Sequence, residues 1–436
     1  MQKFTSVLVG LMFWACATVA PTAVDQSVQK GDVQSAILAY ERHRTVHGPD
    51  TKELAKVAGL VLESETLVGG ARRNDALQQL ALAGIAAKPV LERLVSRQEP
   101  RVAPARASAL ELLSQLGDAE AQNQLRSMKV SKDEEVNAAR VGALDPDADV
   151  NNLLEALKSP QGLVRQAVVN RLAHSKPQPN IYAAVLDTAR RDPLGAVRVD
   201  AMAALLPYGL RAEPAIVTGL KDPHLPVRLV AMDIAAKSKE PKLLSLLVPY
   251  LENPPDQESI EAARQLALNA EQKLAKKARA FIFAALASED SMVRHQSIVA
   301  LQTLKLNDKE LAVIWDKVAS ESEADIKVAL CDTLLSTSSY SEKLVPMLEE
   351  LSQAESLAAV HATLALSKIG KSEFAAKRLM ELVDRGPIAA RANAARALAR
   401  DLGKPDEARV ALKAAHPRVR IEAAGGILVA AQPEAI

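Results

Sequence analysis

The sequence predicts an all-α protein, built as an α-solenoid of stacked antiparallel helix pairs. Three observations predict it. A sentence exemplified by Asp222-Pro223 through Ala235 recurs along most of the chain, and its apolar residues keep the spacing of one helix face. Hydrophobic residues reach 48% while aromatics stop at 3%, so Ala, Leu and Val carry the core. Such residues favour helices and let them approach closely. No stretch alternates with period two for long enough to propose a strand.

The chain divides into three parts by this reading. Residues 1-20 read as a secretory signal: Lys3, then an apolar run from Phe4 to Ala20 ending in small residues. Ala15-Cys16-Ala17 offers a cleavage site. Cys16 also admits a lipoprotein reading, although Phe13-Trp14-Ala15 departs from the small, Leu-led pattern before a lipidated cysteine. A product with Cys331 as its other cysteine builds no disulfide framework, and it suits a bacterial periplasm.

Residues 24-75 form an N-terminal helical cap. Asp32 stands as N-cap before one amphipathic run, Gly48-Pro49-Asp50 breaks it, and Leu54, Val57, Ala58, Val61 and Leu62 give a second stripe. Two atypical helices are what the end of an array needs, since a terminal unit has a neighbour on one side only.

Residues 76-436 form the repeat array. Taking Val227 as a reference slot, with apolar or small residues at +4, +7, +8 and +11, the slot recurs at Ala105, Val164, Val197, Val227, Ser259, Val293, Ile326, Ala358, Ala390 and Val419. A degenerate copy lies near Glu135. The step is roughly 31 residues, the length of a helix pair with short turns. Partner helices precede the slots, for example 180–191, 241–252, 274–287, 308–319 and 341–352. Asp222-Pro223 is expected to open its helix, Pro being tolerated in a first turn.

The repeating Asp192-Pro193…Val197-Arg198…Ala201…Ala204-Leu205 resembles the second helix of a HEAT repeat, in particular the short repeats of phycobilisome lyases. The resemblance covers roughly residues 76 to 430 and fades at Ser259-Ile260 and Ala358-Ala359, where the basic residue is missing. It implies a HEAT/armadillo-like right-handed superhelix with the Val-Arg helices on its concave face, and it implies little about function.

The residue after the slot is basic in eight units: Arg106, Arg165, Arg198, Arg228, Arg294, Lys327, Arg391 and Arg420. One reading is a structural ladder, an acid from the preceding turn (Asp192, Asp222, Asp290, Glu321) pairing each guanidinium and knitting neighbouring units. The other is a basic stripe on the concave face for an acidic partner. Acids dominate residues 321–355 and bases 391–422, and the basic C-terminal end is the first place to look for a docking surface. His43 and His47 stand at i, i+4 beside Glu41 and Asp50 without a third metal ligand. Cys331 reads as a small buried hydrophobe.

No phosphate-cradling loop, nucleophile elbow or Cys-His arrangement is present. A net charge of +1 gives no field for nucleic acid. The expectation is therefore an exported, non-catalytic scaffold, a curved rod whose concave or edge surface binds a protein partner. It carries no cofactor, metal or small-molecule substrate, and it meets a membrane only if Cys16 is lipidated. The alternatives are a lyase-like or other enzyme-associated HEAT protein, or an envelope lipoprotein assembly factor anchored through Cys16.

Overall fold

A computed structural model describes residues 21–335 and 337–432. The signal and Cys16 lie outside them. The described residues form helices joined by turns, with no strand.

A short helix, α1 (Ala23–Gln29), and a longer one, α2 (Val33–His47), lead into twelve pairs. These are α3 (Thr51–Val68) with α4 (Gly70–Ala83), α5 (Lys88–Ser96) with α6 (Ala103–Gln115), α7 (Ala119–Ser127) with α8 (Glu134–Gly142), and α9 (Val150–Ala156) with α10 (Gly162–Leu172). Next come α11 (Pro179–Arg191) with α12 (Gly195–Ala204), α13 (Glu213–Gly219) with α14 (Leu225–Lys237), α15 (Pro241–Ser245) with α16 (Gln257–Asn269), and α17 (Gln272–Ala285) with α18 (Ser291–Gln302). Last are α19 (Asp308–Ser320) with α20 (Ala324–Leu334), α21 (Ser341–Ser352) with α22 (Leu357–Lys368), α23 (Ser372–Arg385) with α24 (Ile388–Arg396), and α25 (Pro405–Ala408) with α26 (Pro417–Ala430).

Within each pair the slot helix buries its stripe against the helix before it. In α14, Val227, Ala231, Ile234 and Ala235 are buried, and in its partner α13 Ala215 and Ile216 are buried against them. Alanine at the contact lets consecutive slot helices pack on one another, whereas most of the partner helices touch their neighbours sparsely. A layer whose members crowd lies inside a curve, and one whose members splay lies outside. The slot helices therefore form the inner layer.

Two expected starts and one expected helix differ. Asp222-Pro223 and Asp192-Pro193 do not open their helices: α14 begins at Leu225 and α12 at Gly195, because each aspartate is committed to an arginine of the unit before it. The stretch 241–252 is broken into α15 and a 3-10 turn, Val248–Glu252. Pro249 lacks the N–H an α-helix would need there. Asp32 caps α2 as expected, accepting from the Ser35 amide at 3.0 Å.

The rod is not open. Helix α26 packs against α3 and α4, and residues from 24 to 143 share one hydrophobic core with residues from 359 to 428. The N-terminal helices are thus covered on both sides, and the expected one-sided cap becomes the twelfth joint of a ring. The cause is legible in composition: α26 buries Val419, Ile421, Ala424, Ile427 and Leu428 around most of its circumference. A terminal helix facing water would carry a polar outer face. At Gly425 a Cβ would lie 2.1 Å from Gln79 Oε1, so glycine is what permits α26 to close on α4.

Candidate protein-interaction surface

The eight basic residues divide by what they meet. Arg165 donates from Nε and Nη2 to both oxygens of Asp192 at 2.7 and 2.9 Å, and from Nη1 to the carbonyls of Ser159 and Pro160. Arg198 grips Asp222 at 2.7 and 2.7 Å and the Asp192 carbonyl. Arg294 grips Glu321 at 2.9 and 3.1 Å and the Ser288 and Glu289 carbonyls. Arg228 reaches Glu258 at 2.6 Å and the Asp222 carbonyl. Arg420 reaches Glu65 at 2.9 Å and the carbonyls of Ala414 and Ala415.

The acid comes from the unit that follows, not from the turn that precedes the arginine. Side chains in the first turn of a helix lean toward its N-terminus. That places the guanidinium over its own turn, whose carbonyl oxygens it takes, and against the next turn in the stack, whose carboxylate it takes. Asp290 accordingly caps α18 at the Met292 amide and forms no rung.

Arg106 and Arg391 make neutral contacts, to the Gln98 side chain and the Val383 carbonyl, and Lys327 makes no ion pair among the described residues. Burial works to raise the Asp222 carboxyl, but the Arg198 guanidinium and the His224 amide outweigh it and hold it below its ordinary value. Glu321 is lowered in the same way by Arg294. Arg165, Arg198 and Arg294 are at least nine-tenths buried, so they lie between units and present no basic stripe.

The basic C-terminal end does dock, onto the chain's own N-terminus. Arg409 and Lys413 reach Glu41 at 3.4 and 3.1 Å, and Asp406 accepts from Arg44 and from the Tyr40 hydroxyl at 2.9 Å. His43 lies 3.5 Å from Asp50, with the His47 ring beside it, and the described residues hold no metal-ligating cluster. Cys331 is buried, and burial pushes its thiol up to about 12.

What the inner layer leaves free is polar over α4 to α10 and mixed over α18 to α22. A cavity of about 750 Å³ runs along α4, α6, α8 and α10, lined by Asn74, Glu111, Gln115, Gln166, Asn170 and His174 among others. The side-chain amides of Asn74, Gln115, Gln166 and Asn170 have no partner among the described residues. Glu111 is largely buried there, and desolvation raises its carboxyl above the usual carboxylate range. A second cavity, about 650 Å³, lies over α18, α20 and α22 between His295, Asp325 and His361, with Lys368 on Asp332 at its edge. Burial lowers the His361 imidazole. The spacing rule found the buried stripe but not these residues, because it scored only the positions that face the partner helix.

Helices and rungs together define the class: an all-α solenoid of stacked antiparallel pairs, HEAT/armadillo-like, with its two ends in contact. No family model and no curated protein matches the chain. Among solved structures it is similar to Kap121p, at 12% identity over 88% of this chain and 53% of that one, TM-score 0.41. It is also similar to Kap95p from its complex with RanGDP (12%, 92% and 60%, TM-score 0.35) and to a chain of the S. pombe condensin Cnd3-Cnd2 subcomplex (14%, 89% and 73%, TM-score 0.30). The chain spans only a little over half the length of the first two.

Proposed function

We propose that the protein is an exported, non-catalytic scaffold whose inner surface binds a protein partner. The observation that supports this best is the row of unpaired amides on α4, α6 and α10. An amide both donates and accepts, so it can meet main-chain and polar side-chain groups of a polypeptide without demanding charge. A curved, continuous inner layer suits a partner that makes many such contacts. Among the described residues no helix is long and apolar enough to cross a membrane.

Cross-linked pull-down from an envelope extract tests the reading. A stoichiometric protein partner should be retained by the natural chain and lost from Gln166→Arg or Asn170→Arg. Equal capture by those variants, or none by the natural chain, refutes it. The mass of the mature N-terminus tests export, and a lipid that disappears in Cys16→Ser would place the scaffold on a membrane.

A further inference from the structure

In α8 the repeat carries a charge where its other copies carry core. Val136 is the buried slot residue, and Asn137 takes the place of the ladder arginine. Its amide donates to the Ser131 carbonyl six residues back, as Arg165 donates to Ser159 and Arg198 to Asp192. Four positions beyond the slot the other units bury Ala109, Val168, Ala201, Ala231, Ala263, Ser297, Leu330, Ala362, Ala394 and Ala423. In α8 that position is Arg140. Its Nε is buried without an acceptor, and the side chain makes no ion pair or hydrogen bond among the described residues.

The outer layer makes room for it. Helix α7 has nine residues and α9 only seven, and a cavity of about 630 Å³ lies between α8, α9 and the start of α10, with Val130 of the turn after α7 at its edge. Its walls are mixed: Val130, Val141, Leu144, Ala156 and Val164 give an apolar side, and Asn137, Asn152, Gln161 and Ser159 add amides and a hydroxyl. The charged residues at its rim, Lys158 and Glu155, satisfy each other at 2.6 Å and leave Arg140 as the unneutralised cation.

We propose that this cavity binds a monocarboxylate with an apolar body, its carboxylate on Arg140 and its body against the apolar wall. A planar guanidinium facing a cavity with one apolar side is matched by a carboxylate, which it can hold through two hydrogen bonds. The volume is that of a small-ligand site. The carboxylate can belong to a free amphiphile or to the C-terminus of a peptide ending in an apolar residue.

Calorimetric titration of the full chain tests this with octanoate, with N-acetyl-leucyl-leucine and with the amide of each. One equivalent of at least one acid should bind saturably, and its amide should bind about tenfold more weakly or worse. Binding of octanoate alone assigns a free amphiphile, and binding of the dipeptide alone assigns a chain terminus. Arg140→Ala, the residue most other units carry there, should keep the thermal midpoint and lose binding to a similar degree. Ala156→Trp, which fills the cavity and keeps the arginine, should block binding as well. No saturable binding, equal binding of acid and amide, or undiminished binding by Arg140→Ala would overturn the assignment.

Discussion

Arg420 and Glu65 stand 355 residues apart and are joined by the same rung that joins neighbouring repeats. Arg420 takes two carbonyl oxygens of its own turn, as Arg165 and Arg294 do, and Glu65 fills the place that Asp192 or Glu321 fills elsewhere. The seam between the chain's ends is built like any other joint of the array. Arg420→Ala should cost about 1–2 kcal/mol, because Glu65 keeps Arg72 as a second partner. Amide exchange should then quicken in α3 and α26 together. Faster exchange in α26 alone would show that the rung does not couple the ends.

The interior rungs should be less forgiving. Arg198 is held on two sides and buried, so Arg198→Ala leaves the Asp222 carboxylate buried and unpaired. A loss of about 3 kcal/mol is expected in urea denaturation. Arg198→Lys should recover little of it, since an ammonium cannot span both oxygens and the Asp192 carbonyl.

Acid should loosen the stack. Asp222 and Glu321 are held below their ordinary values of 3.8 and 4.5. A carboxyl lowered by folding binds fewer protons in the folded chain than in the unfolded one. Its contribution is complete above the ordinary value and is lost as pH falls through the folded one. Stability should therefore hold down to about pH 4.5 and decline below it, and Asp222→Asn should flatten part of that decline. A stability that rises on acidification through this window would contradict the rung geometry.

Close approach at the seam gives a packing test. A Cβ on Gly425 would sit 2.1 Å from Gln79 Oε1 and 2.8 Å from its Cβ. Gly425→Ala should destabilise the protein by about 1–3 kcal/mol through overpacking. Gln79→Gly, which removes the Cβ as well as the amide, should restore part of the loss in the same chain, and the coupling in the double-mutant cycle measures the contact.

The helical stack was legible because its signal repeats: each Val-Arg sentence reports one slot helix, and ten of the slots recur where α6 through α26 lie. The closure was less legible because the template scored one face. Ile421, Ala424 and Leu428 lie off that face, and only their burial against the N-terminal helices separates a ring from a rod. Asp192, Asp222 and Glu321 pair with ladder arginines, but with those of the unit before and not of their own, since a one-dimensional pattern does not say which of two flanking turns a guanidinium reaches. Arg140 stayed hidden behind a slot placed at Glu135. Moving the slot one residue, to Val136, puts the arginine in the core position.

Lys413 Nζ lies 3.1 Å from Glu41 Oε1, 372 residues away in the chain, and a zero-length carbodiimide joins only amines and carboxylates in contact. Treating dilute protein and digesting the monomer band should yield the peptide containing Lys413 coupled to the one containing Glu41, alongside the Lys368–Asp332 product of an interior joint. Recovery of the interior product without the Lys413–Glu41 product would mean that the ends of the solenoid do not meet.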